Sequence, residues 1–118
     1  METNYQETIR KAVNVLYHNQ LSSIKKKIKD VVLTGSVARK TATGESDIDL
    51  LFILKERLTD QETWSLFEII NDFNLTQDHI LDIHFALENE IKTQFNETYK
   101  QNLKKFGISL LKNKTPKV

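Results

Sequence analysis

The chain has 118 residues, of which 39% are hydrophobic and 28% are charged. This composition is typical of one globular domain, which we expect at residues 1–111, followed by a polar basic tail at residues 112–118. The formal net charge of +1 gives no overall attraction to nucleic acid or to a membrane surface, so direct nucleic-acid binding is not expected. The absence of cysteine excludes disulfides and thiolate chemistry, as fits a cytoplasmic protein, and the longest apolar run, Leu50 to Leu54, is too short to span a membrane.

The N-terminal stretch predicts helix. Thr3 to Gln6 has the Thr-x-x-Gln pattern of a capped helix start, and apolar residues then recur at helical spacing at Ile9, Ala12, Val13, Leu16 and Tyr17. A second, shorter apolar stripe covers residues 21–28. Four lysines lie close by, at Lys25, Lys26, Lys27 and Lys29. We interpret these lysines as a solvated helix face rather than as a docking patch for an acidic partner or RNA.

A β-branched run, Val31–Thr34, predicts the first strand, and Gly35 ends it. Ser36 then begins a predicted short helix, whose free N–H groups and positive dipole end favour an anion. The alternative for Ser36 alone is a plain helix N-cap. Arg39 lies three residues after Ser36 on the same predicted helix face, so its guanidinium could reach the same anion.

The second strand follows a turn-rich loop and opens with Asp47-Ile48-Asp49. Because side chains alternate along a strand, Asp47 and Asp49 are expected on one side, with apolar residues continuing on both sides to Leu54. A strand that is apolar on both sides is an inner strand. Two carboxylates at the end of such a strand repel each other unless a cation lies between them, and oxygen ligands suit Mg²⁺. An ion pair of Arg39 with Asp47 or Glu45 is the structural alternative to anion binding.

The second half of the chain predicts a helix, a strand and a longer helix. Thr59 to Glu62 forms a capping box, and a helix to about Asn74 would bury the aromatic stripe Trp64, Phe67, Ile70 and Phe73. The third strand covers residues 79–85, with Leu81, Ile83 and Phe85 on one side and Asp82 and His84 on the other. We expect His84 to be a structural histidine; the alternative, because it lies two residues past Asp82, is that it lines the pocket. A long helix is predicted over residues 89–106, ended by Gly107, and a short strand over 108–111.

One pattern resembles a known family. The segment Gly35-Ser36-x-Ala38-Arg39-x6-Ser46-Asp47-x-Asp49-Leu50 is similar to the signature of the nucleotidyltransferase superfamily related to DNA polymerase beta, and most like its small stand-alone branch of minimal nucleotidyltransferases (MNT). The resemblance implies an α/β fold, with a small mixed β-sheet packed by helices. The family usually has Gly after the Arg, where this chain has Lys40.

The resemblance also implies a set of site residues. Asp47, Asp49 and a third carboxylate, for which Asp82 is the candidate and Asp78 the substitute, would hold two Mg²⁺ ions. The alternative for Asp82 is a solvent-facing residue on an edge strand. ATP would be the co-substrate, with Gly35 and Ser36 holding its phosphates together with Arg39, and Asp82 would act as general base. Ser46 is expected to shape the turn before the Asp pair.

The resemblance to small members of the family also implies that the acceptor of the nucleotide is another protein. They resemble antitoxins that work beside a helical HEPN ribonuclease toxin and add AMP to one of its tyrosines. Three alternatives stay open: an adenylyltransferase for a small molecule such as an aminoglycoside, completed by a homodimer; a catalytically silent module that neutralises a partner by contact; and a polymerase-like or tRNA-directed enzyme. The oligomeric state is open, and a homo-oligomer is compatible with the sequence.

Overall fold

The computed structural model describes residues 2–18, 22–42 and 47–111, with side chains described at 5–16, 23–42 and 47–111. The predicted turn role of Ser46 and the predicted tail at 112–118 therefore lie outside the described residues. In the described ranges the elements follow in the order α1 (Glu2–His18), α2 (Ser22–Lys27), β1 (Ile28–Thr34), α3 (Gly35–Ala38), β2 (Ile48–Leu54), α4 (Asp60–Asn74), β3 (Leu81–Leu87), α5 (Glu88–Thr93), α6 (Glu97–Phe106) and β4 (Ile108–Ser109). None of these helices has both the length and the hydropathy needed to cross a bilayer.

The four strands form one mixed sheet in the order β3-β2-β1-β4. Strand β1 is antiparallel to both β2 and β4, whereas β2 and β3 are parallel. Strand β2 is therefore an inner strand, as its apolar run predicts, and every residue from Leu50 to Leu54 is buried. The predicted small mixed sheet packed by helices is confirmed.

Each face of the sheet packs on its own apolar core. On one face, Leu50 and Phe52 of β2 meet buried residues of α1, α2 and α4. On the other face, Leu51 and Ile53 meet α5 and α6, which contribute Ile91 and Leu103. Burial on both faces fixes the register of β2, because a slip by one residue would exchange its two faces. The face that carries Leu51 also carries Asp49, as the alternation predicts.

The capping box at the start of α4 is confirmed. The Thr59 hydroxyl accepts from the Glu62 N–H at 3.1 Å, and the Glu62 carboxylate accepts from the Thr59 N–H at 2.8 Å and from Lys27 Nζ at 2.7 Å. The hydrogen bond from Lys27 is the largest cause that lowers the pKa of Glu62 to about 2. This contact joins α4 to the end of α2, so Lys27 is not a purely solvated residue of the lysine cluster.

The predicted aromatic stripe on α4 is wrong at its first two positions, and Phe67, the second of them, is 37% exposed. The Trp64 side chain is 69% exposed, while the buried residues of this helix include Leu66, Ile70 and Phe73. Three residues turn an α-helix by about 300°, which is about 60° short of a full circle. Over the three such steps from Trp64 to Phe73 these shortfalls add up to about half a turn, so the first and last side chains of the stripe point to opposite sides of the helix. Steps of three and four residues together, as from Leu66 to Phe73, stay on one face.

The long helix predicted over 89–106 is in fact two helices, α5 and α6, separated at residues 94–96. Asn96 explains the break, because its side chain accepts from the Tyr99 N–H at 2.8 Å and caps α6. Gly107 ends α6 as predicted. A Cβ atom at Gly107 would lie 2.5 Å from the Leu103 carbonyl oxygen, so the close approach requires glycine.

A buried polar contact fixes the short edge strand β4. The Asp30 carboxylate accepts from Ser109 Oγ at 2.7 Å and from the Val31 N–H at 2.8 Å, and both Asp30 and Ser109 are buried. We expect Ser109→Ala to lower the free energy of unfolding by about 1–3 kcal/mol, because it removes a donor from a buried carboxylate. Urea unfolding followed by circular dichroism measures the change.

Thr98 is an exposed residue of α6, and Thr98→Ala is the matched control. We expect it to change the free energy of unfolding by no more than about 0.5 kcal/mol. Equal effects of the two substitutions would show that the Asp30–Ser109 contact contributes nothing specific.

Candidate active site

Three side chains from β2 and β3 meet on one face of the sheet. The parallel register places Asp49 directly beside Asp82. His84, two residues along β3, lies with its Nε2 atom 3.3 Å from Asp82 Oδ2 and 3.9 Å from Asp49 Oδ1. One ligand atom from each residue lies within 4.8 Å of the other two. Asp82 lies on the edge strand β3 and is half-exposed, with its carboxylate beside Asp49 and His84, so its roles as metal ligand and base stay a prediction.

The charges of this cluster favour a cation. Burial is the first cause that raises the pKa of Asp49, and the nearby Asp82 carboxylate is the second, while His84 acts in the opposite direction. A group whose anionic form is disfavoured by burial and by a neighbouring anion gains when a divalent cation binds between them. Carboxylate oxygens are the ligands that Mg²⁺ takes, so Asp49 and Asp82 fit a divalent metal.

Asp47 lies apart from this cluster of three. It is exposed and directly precedes β2, and its charge makes only the smallest of the contributions that raise the pKa of Asp49. The substitute candidate Asp78 is exposed, lies ahead of β3 and is also outside the cluster. The metal-binding role of Asp47 therefore stays a prediction.

Gly35 brings the loop after β1 against the acidic cluster. Its φ angle is +71°, and an added Cβ atom would lie 2.1 Å from Asp49 Oδ2. Only glycine permits both this conformation and this approach. The N-cap position of α3 is Thr34, which makes no side-chain capping bond, so Ser36 is not the plain N-cap that was the alternative.

A cavity of about 590 Å³ joins the loop, the acidic cluster and α6. Gly35, the first residue of α3, and Arg39, at the end of α3, line this cavity, whereas Ser36 does not. Within the ranges that the structure describes, Arg39 forms no ion pair, so the alternative pairing with Asp47 is not found; Glu45 lies outside those ranges. Phosphate binding by Ser36 and Arg39 stays a prediction.

Two further residues line this cavity: His84, for which lining the pocket was the less favoured interpretation of the sequence, and Tyr99, to which the sequence assigned no role in the site. His84 is half-exposed in the cluster, so the expectation of a structural histidine is wrong. Its position two residues after Asp82 on the same strand face was the available signal. Tyr99 of α6 also lines the cavity, and its pKa is raised by burial and then by the Asp49 charge. In the sequence, helical spacing places Tyr99 on a stripe with Leu103 and Phe106 and gives no sign of a role in the site.

Comparison with known proteins gives concordant results. Residues 17–111 match the model of the family described as the nucleotidyltransferase domain. The chain is 36% identical over 72 residues to a protein of Methanocaldococcus jannaschii named a putative protein adenylyltransferase, a match that covers 61% of this chain and 72% of that protein.

Solved structures share the fold at low identity. A chain of a toxin–antitoxin complex with AMP-PNP is 20% identical, with a TM-score of 0.55 over 86% of this chain and 71% of that one. A chain from a Shewanella oneidensis complex of a tri-AMPylated HEPN toxin with an MNT antitoxin is 18% identical, with a TM-score of 0.52 over 93% and 71% of the two chains.

Removing the charge of Asp49 should stabilise the metal-free protein. We expect Asp49→Asn to raise the free energy of unfolding at neutral pH by about 0.2–1 kcal/mol, the range for charged pairs on neighbouring strands. Folding raises the pKa of Asp49 above 3.8, its value in the unfolded chain. The wild-type protein therefore loses stability as the pH rises from the unfolded-state pKa to the folded-state pKa of Asp49, and it does not regain that stability at neutral pH. The gain should vanish below pH 3.8.

Urea unfolding in the presence of a chelator measures this gain, with the exposed Asp72→Asn on α4 as the control. Added Mg²⁺ should stabilise the wild-type protein and leave Asp49→Asn unchanged. A variant that is less stable than the wild type without metal would contradict the repulsion between Asp49 and Asp82.

Lys40, where the family usually has glycine, has a φ angle of +62°. It follows α3 in a Schellman motif, in which the Lys40 N–H donates to the Val37 carbonyl at 3.2 Å and the Thr41 N–H to the Ser36 carbonyl at 2.9 Å. We expect Lys40→Gly to raise the free energy of unfolding by about 0.5–1 kcal/mol, because the relief of left-handed strain exceeds the entropy cost of glycine.

Lys40→Ala separates conformation from charge in the same unfolding assay, because alanine retains the strain and should give no gain. Equal stabilisation by alanine and glycine would assign the effect to loss of the lysine charge instead.

Proposed function

The chain belongs to the nucleotidyltransferase domain family and is a nucleotidyltransferase, and we propose that it transfers AMP from ATP to a tyrosine hydroxyl of a HEPN-type toxin. The relative from M. jannaschii, named a protein adenylyltransferase, supports AMP and a protein acceptor. The fold shared with a complex that contains a tri-AMPylated HEPN toxin supports the partner. The similarity to a complex with AMP-PNP supports an adenine nucleotide as donor.

One observation carries the proposal: the Asp49–Asp82–His84 cluster lies beside the same cavity that Gly35 and Arg39 line. A transfer at phosphorus needs a place for the polyphosphate next to carboxylates that hold cations. The cavity lined by Gly35 and Arg39 would take the polyphosphate, and the carboxylates of the cluster would hold the cations, on the same face of the sheet.

We assign the following roles to the chain's own residues. The backbone of Gly35 and the Arg39 guanidinium, which both line the cavity, bind the phosphates of ATP, and Ser36, which does not line it, stays a candidate from the sequence alone. Asp47, Asp49 and Asp82 would hold two Mg²⁺ ions, which neutralise the leaving pyrophosphate and lower the pKa of the attacking hydroxyl.

The proton of the acceptor goes to Asp82, whose carboxylate also contacts His84. The acceptor oxygen bonds to the α-phosphorus as the bond from that phosphorus to the bridging oxygen breaks, and pyrophosphate leaves. Positioning and charge neutralisation supply most of the rate gain.

Intact-mass spectrometry tests the transfer. The purified chain is mixed with ATP, Mg²⁺ and the product of the neighbouring open reading frame, which this proposal expects to be a HEPN-type protein, and that partner should gain one or more AMP-sized additions at tyrosine. Asp49→Asn combined with Asp82→Asn should slow the addition by about 100-fold or more, because the metal ligands and the base are lost.

Asp78→Asn is the matched control, since Asp78 is exposed outside the cluster, and it should retain the wild-type rate. Loss of transfer in that variant would overturn the assignment of Asp82. If the double variant still neutralises the partner as well as the wild type does, the protein is a contact-only module. If an aminoglycoside is modified while the protein partner is not, the acceptor is a small molecule.

A further inference from the structure

One face of α6 forms a wall of the cavity that the proposed roles do not use. Tyr99, Asn102, Leu103 and Phe106 all line the cavity, and their spacing of three, four and seven residues places them on one helix face. Phe95, at the break between α5 and α6, lines the same cavity. This wall is largely aromatic, in contrast to the charged part of the cavity around Arg39, Asp49 and His84.

The aromatic rings of this wall are held in place. The Phe95 and Tyr99 rings pack edge to face, with centroids 5.0 Å apart and planes at 87°. The capping bond from the Tyr99 N–H to Asn96 fixes the first turn of α6 beneath the ring. A ring that is already packed against a neighbouring ring loses little freedom when a flat ligand stacks on it.

The wall also carries an uncommitted amide. Asn102 is exposed to the cavity between Tyr99 and Phe106, and across the described part of the chain its side chain has no hydrogen-bond partner. An asparagine amide can donate to and accept from the N7 and N6 edge of adenine at the same time. Guanine presents two acceptors at the corresponding edge, so the same amide discriminates between the purines.

We infer that Tyr99 and Asn102 form the nucleobase subsite of this enzyme, in which the base of ATP stacks on Tyr99 and is selected as adenine by Asn102. This inference rests on the proposed function, because it takes the Gly35–Arg39 side of the cavity as the phosphate side. With the phosphates and the cations on that side, the remaining wall of the cavity is the one that suits a flat, apolar base.

Calorimetric titration with AMP-PNP and with the corresponding guanine analogue, in the presence of Mg²⁺, tests the inference without any transfer reaction. Tyr99→Leu keeps apolar volume but removes the ring, and it should weaken AMP-PNP binding about tenfold or more, whereas Tyr99→Phe should bind normally. Asn102→Ala should reduce the preference for the adenine analogue over the guanine analogue by about tenfold.

Gln101→Ala is the matched control, because Gln101 is the neighbouring exposed amide on α6 and does not line the cavity. It should leave both affinities unchanged. Circular dichroism of every variant verifies that α6 is folded. Titration with adenosine, followed by the backbone amide resonances of residues 99–106, adds a readout that needs neither phosphate nor metal.

The results separate this inference from the proposed function. If Tyr99→Leu binds AMP-PNP normally but raises the KM of the protein acceptor, the wall belongs to the acceptor and the inference is overturned while the transfer stands. If the wild-type chain binds AMP-PNP through Tyr99 yet modifies no partner, the subsite stands and the proposed function fails. Unchanged nucleotide affinity and preference in both variants overturns the subsite.

Discussion

The parallel pairing of β2 with β3 is the constraint on which the site depends. It sets Asp49 beside Asp82 and brings His84 within 3.9 Å of both carboxylates. Antiparallel neighbours can be joined by a tight hairpin, but a parallel pair needs a crossover, and α4 supplies it here. The end of α4 holds the start of β3, because the Leu81 N–H donates to Asn74 Oδ1 at 2.9 Å and Asn74 Nδ2 donates to the Leu81 carbonyl at 3.3 Å.

The cluster opposes the stability of the sheet that holds it. Like charges side by side on neighbouring strands are unfavourable, and burial of Asp49 adds to the cost. The loop at Gly35 closes in further, to the point where no side chain would fit. Such an arrangement persists because burial on both faces of β2 fixes the register independently of the carboxylates. The left-handed Lys40 beyond α3 adds a second unfavourable feature near the same site.

The sequence predicted the parts of the fold that follow from short-range rules. Period-two alternation identified both faces of β2 and the shared face of Asp82 and His84, and the Thr59–Glu62 pattern located the start of α4. Longer helical patterns were less reliable. A stripe of residues at intervals of three drifts around the helix, which is why Trp64 is exposed. The break before α6 depends on one side-chain bond from Asn96, which competes locally with a continuous helix.

The site residues that lie on strands could be predicted from the sequence, whereas those that lie on a helix could not. Alternation fixes the direction of Asp49 and Asp82, but the period of α6 shows only that Tyr99 and Leu103 share a face. In the structure Leu103 is buried in the core and Tyr99 packs against that core, yet both also line the cavity, so one face of the helix serves both. Where core ends and cavity begins is set by how far the sheet extends beneath the helix. Along β2 the cavity is lined by Asp49 and Leu51, where the side chains change from acidic to apolar, and this lining exists only once β2 and α6 are packed together.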